Sequence, residues 1–170
     1  MRVERIGRLA AVANDSARVA AREALLAVAH EIRRVVFVDE QRIDAALEWD
    51  GLDDDAEHFV VFADTGEALG TARFRVNDDG DPAQRYGKAE RVAVHAHARR
   101  TGAGRRLMEA IEARAAELGL GELRLNAQVA VLPFYEGVGY EAYGDVFVEA
   151  DIDHRAMTRS IPAPDQSTQR

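Results

Sequence analysis

Four arginines, Arg99, Arg100, Arg105 and Arg106, bracket Gly102 and Gly104, and the chemistry this spacing offers is anion binding. The stretch reads Arg91-Val-Ala-Val-His-Ala-His-Ala-Arg99-Arg100-Thr101-Gly102-Ala103-Gly104-Arg105-Arg106-Leu107, with no acid before Glu109. Leu107, Ile111, Ala115 and Leu118 recur every three or four residues, which predicts an amphipathic helix starting at the glycines. A helix start carries partial positive charge on its unpaired N–H groups and ordinarily attracts Asp or Glu. Arginines there are repelled unless an anion sits between them, and glycines let backbone N–H groups come close to that anion. The competing reading is a solvated basic turn. Nucleotide patterns do not fit. No Lys-Ser or Lys-Thr follows the glycines, as a P-loop requires, and Leu107 stands where the dinucleotide fingerprint has its third glycine. What the residues spell is Arg99-x-x-Gly102-x-Gly104 behind a Val-Ala-Val strand.

A second group able to do chemistry is Pro133-Phe134-Tyr135-Glu136-Gly137-Val138-Gly139-Tyr140-Glu141, a short helix with aromatic anchors and a glycine turn into a strand. The Tyr135 phenol is a neutral proton donor at pH 7 and equally a typical packing aromatic. Groups that could take a proton from a reacting amine are Glu90, Glu40, Glu48, Asp50 and His95. Six acids crowd residues 48–57 with no Lys or Arg among them, which reads as a loop. Such a loop is either solvated or a rim that attracts cations, and it does not meet EF-hand spacing. His58, His95 and His97 lack metal-ligand spacing, so no metal is expected.

Composition bounds these readings. At 170 residues, 47% apolar and 31% charged, the chain is expected to be one soluble globular domain. No apolar run approaches the roughly 20 residues that cross a bilayer. Acids at Glu4, Asp15 and Glu23 argue against a signal or transit peptide. Having no cysteine fits the cytoplasm and removes a thiol nucleophile. A net charge of −8 argues against a nucleic-acid partner and makes the arginine cluster a local exception, suited to a small anion.

The elements that must position these groups follow in order. A short strand over 2–8 precedes a helix over 16–37, with Asn14, Asp15 or Ser16 as its cap. Strands follow at 58–64 and 68–76. In the second, Ala72, Phe74 and Val76 alternate with Thr71, Arg73 and Arg75, which predicts one buried and one exposed face. After a turn at 77–82, the strand at 90–95 delivers the glycine loop and its helix, which Gly119 and Gly121 end. The strand at 123–129 alternates Leu123, Leu125, Ala127 and Val129 against Arg124, Asn126 and Gln128. A short helix at 132–137 and strands at 142–150 and 154–160 complete the fold, and 162–170 is expected to be a disordered tail. The predicted class is α/β (or α+β): a mixed, largely antiparallel sheet of about six or seven strands with one parallel crossover over 90–129. Where that parallel pair splays, a slot opens at the glycine loop.

Together, the glycine loop and the Phe-Tyr…Gly-Tyr turn, in that order, resemble the two motifs of the GNAT N-acetyltransferase superfamily. Val36-Phe37-Val38-Asp39-Glu40-Gln41, Trp49-Asp50-Gly51-Leu52-Asp53 and the closing His154-Arg-Ala-Met157 are similar to its ElaA-like branch. The resemblance implies the acyl-CoA N-acyltransferase fold over 1–161, with helices on both faces of the sheet, and acetyl-CoA as co-substrate. It implies that backbone groups of Val92, Ala93 and Val94 pair with the pantetheine arm and stabilise the thioester oxyanion. Arg99, Arg100, Thr101, Gly102, Ala103, Gly104 and Arg105 would cradle the pyrophosphate. Phe134 and Asn126 are further cofactor contacts, with Gln128 beside Asn126. For both polar residues, ordinary exposed positions are the alternative. Tyr135 would protonate the departing thiolate. Glu90 is the first choice of general base, with Glu40, Glu48, Asp50, His95 or water as alternatives. The implied acceptor is a primary amine of a small molecule or peptide, cationic if the acidic run is a rim, with homodimerisation left open. The alternative function is a non-catalytic acyl-CoA-binding or partner-binding module.

Overall fold

The computed structural model describes residues 1–78, 81 and 84–162. Residues 79, 80 and 82 of the expected turn and 163–170 of the expected tail lie outside them. Seven strands form one sheet in the order β1-β2-β3-β4-β5-β7-β6. They are β1 Arg2–Ile6, β2 Glu57–Phe62, β3 Ala68–Asn77, β4 Tyr86–Val94, β5 Glu122–Gln128, β6 Glu141–Glu149 and β7 Ile152–Ser160. The expected mixed sheet with a parallel pair is the observed one. The chain divides into two compact units, one drawn from Met1–Arg75 and Glu90–Ala110, the other from Val76–Ala89 and Ile111–Arg170.

In the first unit, Asp15 caps helix α1 (Ser16–Arg33) by accepting from the Ala17 and Arg18 N–H groups. Its inner stripe, Leu26, Ala29 and Ile32, packs with Ile6, Val60, Phe62 and Ala93 into one core cluster. The helix does not continue to 37 as an α-helix. It widens into π-helical turns over Arg34–Glu40, closed by Gln41 N–H donating to Val36 O at 3.1 Å. Val36 and Phe37, adjacent in sequence, are both buried, and the wider turn accompanies that double burial. A one-turn helix α2 (Ala45–Glu48) follows, so the acidic run begins inside a helix and ends inside β2.

β2 pairs antiparallel with β1 and with β3, and is buried along its whole length. β3 departs from expectation. Its Leu69–Phe74 segment is buried on both faces, and Arg73 is only 1% exposed. The arginine-bearing face is covered because the acidic run lies over it, as described below. Gly70 permits β3 and β4 to come together: a Cβ there would meet the Ala93 carbonyl oxygen at 2.7 Å.

In the second unit, β5 keeps the predicted alternation as far as Ala127, with Leu123, Leu125 and Ala127 buried, but Val129 falls beyond the strand in a short 3-10 turn and is exposed. It pairs antiparallel with β7, Leu125 opposite Met157, and β7 pairs with β6. The parallel ladder to β4 matches Gly87 with Leu123 and Lys88 with Arg124, at the start of a nine-residue strand. Helix α3 (Ala103–Glu117) begins in the first unit and ends in the second. Its Leu107, Met108, Ile111 and Ala115 have no measurable exposure, whereas Leu118 is only half-buried.

Candidate functional site

The glycine loop sits at the open end of α3. A backbone bond from Arg106 N–H to Gly102 O at 3.0 Å opens the helix, so the N–H groups of Ala103 and Gly104 stand ahead of its hydrogen-bond ladder. Gly102 has φ 96°, which only glycine adopts freely, and Thr101 Oγ1 donates to Ala98 O at 2.7 Å to close the turn. Arg100 takes a left-handed conformation with φ 64°. These short-range features set the first N–H groups of α3 at a positive helix end.

The arginines around the loop are not all unopposed, as the local sequence suggests. Arg99 Nη1 and Nη2 each lie 2.7 Å from a Glu40 carboxylate oxygen, while Arg99 Nε donates to Val94 O at 3.1 Å. That guanidinium holds Glu40 well below the usual carboxylate range. Arg106 lies 3.6 Å from Glu109. Arg100 is exposed and has no side-chain partner among the described residues.

β4 leads into this loop through an interruption. Arg91, in mid-strand, has φ 52°, a conformation that costs a residue with a Cβ about 1–2 kcal/mol. Val92, Ala93 and Val94 follow it, with Ala93 buried and its neighbours half-buried. His95, next along, is pushed below its ordinary pKa by burial and by His97, whose ring stacks on it with centroids 5.6 Å apart.

Much of the acidic run folds onto the chain's own arginines, while Asp54 and Asp55 stay exposed. Arg73 takes Asp50 in a two-bond fork at 2.7 and 2.6 Å, Asp53 at 3.0 Å and Glu90 at 3.0 Å. Arg33 Nε donates to Glu48 Oε1 at 2.5 Å, and its Nη1 to Asp53 Oδ1 at 2.8 Å. Arg91 Nε lies 2.8 Å from Glu48 Oε2, close enough for an ion contact without hydrogen-bond alignment, and Arg75 grips both oxygens of Glu90 at 2.8 Å. Four guanidiniums thus meet four carboxylates. Glu48 is only 2% exposed, and burial pushes its carboxyl up against the pull of Arg33 and Arg91. Burial also pushes Asp50 up, but the bonds from Arg73 and the Leu52 N–H outweigh it and hold the carboxyl at about 2. For Asp53 the same opposition, with His30, Arg33 and Arg73 against burial, ends far below the usual range. His58, with no exposed surface, donates Nε2–H to Asp53 O at 2.9 Å, and burial lowers its pKa to about 4.

Of the proposed bases, Glu40, Glu48, Asp50 and Glu90 therefore all carry arginine partners. Sequence reasoning missed Arg33, Arg73 and Arg91 as partners of the run and Arg75 as the partner of Glu90. The available signal was that Arg73 and Arg75 fall on a strand at positions the alternation assigns to solvent.

In the second unit, helix α4 (Leu132–Glu136) presents Tyr135, 7% exposed, and Phe134, which is exposed. The Tyr135 ring meets Phe134 edge-on at 4.9 Å and Tyr140 at 6.0 Å. Val138 and Tyr140 N–H groups both donate to Tyr135 O, at 3.1 and 3.0 Å, which fixes the turn. Gly139 is required there twice: φ is 90°, and a Cβ would meet the Arg159 guanidinium at 3.2 Å. Burial pushes the Tyr135 phenol above its ordinary pKa, so it stays protonated well past neutrality. Asn126 is exposed on β5, and Gln128 is half-buried.

A strand entering a glycine loop at a helix start, followed by a Phe-Tyr helix and a Gly-Tyr turn, is the arrangement that known proteins can be compared against. A family model described as an acetyltransferase (GNAT) domain matches residues 17–161. The chain belongs to the GNAT acetyltransferase family. The uncharacterized N-acetyltransferase YjcF of Bacillus subtilis is 37% identical over 142 residues, covering 83% of this chain and 96% of that protein. A candidate N-acetyltransferase from Lactobacillus plantarum superposes with a TM-score of 0.73 at 26% identity, over 82% of this chain and 92% of that one. Escherichia coli ElaA shares the fold, with a TM-score of 0.72 at 22% identity over 94% and 99% of the two chains. In GNAT terms, the match runs continuously from α1 through β7 and includes both motif stretches. Among the described residues, no group of His, Cys, Asp and Glu is placed to hold a metal. Nor is any helix of them long and apolar enough to cross a membrane.

Proposed function

We propose that this GNAT chain is an acetyl-CoA-dependent N-acetyltransferase, with residues 1–161 as one catalytic domain acting in the cytoplasm on a primary amine of a small molecule or peptide. The observation that carries the reading is the start of α3 behind the left-handed Gly102, where the N–H groups of Ala103 and Gly104 stand ahead of the helix's hydrogen-bond ladder, a cradle for a pyrophosphate at a positive helix end. Arg100 and Arg105 add cationic charge to it, and the β4 backbone at Val92, Ala93 and Val94 binds the pantetheine arm.

The amine nitrogen attacks the thioester carbonyl, the C–S bond breaks, and a backbone N–H in Val92–Val94 stabilises the oxyanion. Tyr135 shares its proton with the departing thiolate, a role that a buried, neutral phenol fills at pH 7. The ammonium proton is assigned to water. Glu90 contributes its charge to the Arg73–Arg75 centre instead of accepting that proton directly, because both its oxygens already accept from arginine.

Gly104→Glu sets a carboxylate inside the cradle and abolishes CoA binding in calorimetry, while unchanged affinity would sink the reading. Tyr135→Phe lowers turnover with an active amine by about 10²-fold or more and leaves acetyl-CoA binding near wild type. Equal turnover removes Tyr135 from the mechanism.

A further inference from the structure

Arg91 stands in β4 in a conformation that a residue with a side chain keeps only when its surroundings hold it. In the strand bulge that uses a left-handed residue, that residue is ordinarily glycine. What holds Arg91 is its own guanidinium, which reaches back to α2 and the residues behind it. Nη2 donates to the carbonyls of Leu47 at 3.1 Å and Glu48 at 3.4 Å, and to Asp50 Oδ2 at 3.2 Å, with Nε beside Glu48 Oε2. The anchor is itself fixed, Glu48 by Arg33 and Asp50 by Arg73. In a regular strand, successive N–H groups point to alternate sides, and a left-handed residue breaks that alternation and re-aims the groups that follow. Here the groups that follow belong to Val92, Ala93 and Val94.

We infer that Arg91 is a positioning residue for acyl transfer: its clamp on Leu47, Glu48 and Asp50 holds the left-handed break in β4 that aims the Val92–Val94 N–H groups at the acyl carbonyl. The inference rests on the acetyltransferase reading above. Arg91 itself touches no reacting atom. Its effect appears in how well the oxyanion is met and not in how tightly the cofactor is held.

Two variants separate the clamp from the conformation. Arg91→Ala removes the clamp and keeps the Cβ that disfavours positive φ. Arg91→Gly removes the clamp but adopts that φ freely. With acetyl-CoA and an amine that wild type accepts, Arg91→Ala lowers kcat by about 10- to 100-fold and moves the acetyl-CoA KM by less than about 3-fold. Arg91→Gly regains several-fold of that loss, and Arg91→Lys, keeping charge without the fork, lies between wild type and Arg91→Ala. Amide exchange, read without turnover, speeds up at Val92–Val94 in Arg91→Ala and stays at wild-type rates in β2. A kcat equal to wild type in Arg91→Ala and Arg91→Gly overturns the inference, as does Arg91→Gly performing no better than Arg91→Ala, or KM rising in step with the loss of kcat. Should wild type bind CoA and transfer no acetyl group, the acetyltransferase reading falls. The clamp is then decided by exchange alone, and unchanged protection at Val92–Val94 in Arg91→Ala, or in Arg91→Lys if the alanine variant does not fold, overturns it.

Discussion

The first unit holds two sets of arginines that do opposite work. Arg33 and Arg73 are almost fully buried and each meets two or three carboxylates, whereas Arg99, Arg100, Arg105 and Arg106 surround a helix end at the surface. Burial makes the difference. A guanidinium removed from water must be answered by carboxylates, and those pairs lose several kcal/mol if one partner is deleted. An exposed arginine keeps its hydration, its ion pair contributes little, and it remains available to a ligand. Glu48, Asp50 and Asp53 of the acidic run therefore serve the fold, and the proposed anion site falls to the basic loop.

The largest expected effect lies at the buried set. Arg73→Met strands Asp50, Asp53 and Glu90 and costs about 3–5 kcal/mol in urea unfolding, while Arg100→Ala stays within about 0.5 kcal/mol. Equal costs would erase the contrast. Next comes acid. His58 has a folded pKa of about 4, below its unfolded value, so its contribution is present above about pH 6.5 and is lost as pH falls towards 4. This one group withdraws about 3 kcal/mol of stability between pH 7 and pH 4. The His58 C2–H resonance shows no imidazolium shift above about pH 5, and a titration near 6.5 would contradict its burial. Asp50, held at about 2, extends the loss below pH 4, since its bonds to Arg73 survive only until it protonates. A smaller cost, about 1 kcal/mol, follows Gly102→Ala, which forces φ 96° on a residue with a Cβ. Thermal unfolding that matches wild type would remove the conformational argument for this glycine. Smallest is Glu40→Gln. It changes stability by less than about 1 kcal/mol, because the Arg99 pair is exposed, and it tightens CoA binding up to about 5-fold by releasing Arg99. Weaker binding would assign Arg99 to the loop's architecture instead.

Much of the fold is legible from local rules. The alternation in β5, the stripe on α3, the Asp15 cap and the left-handed glycines at 102 and 139 each depend on neighbours within a few residues, and each appears where the pattern puts it. The helix at 16–37 was legible only to Arg33, because the π-helical turns answer to the burial of Val36 and Phe37 and not to periodicity. The left-handed Arg91 had no signal of its own, since only a glycine would have announced a positive φ within a strand.

By itself, then, the sequence determined where strands and helices run, where the chain turns through glycine, and that a donor-rich helix end follows a short apolar strand. Tertiary structure alone decided which charges are answered. Arg99 meets Glu40 across 59 positions, Arg91 reaches the Glu48 carbonyl across 43, and Arg73 takes Asp50 across 23. Periodicity and capping are short-range and are written along the chain, but an ion pair forms wherever folding removes water from both partners. Only the folded chain shows an arginine strand face turned inward and the acids closed over it.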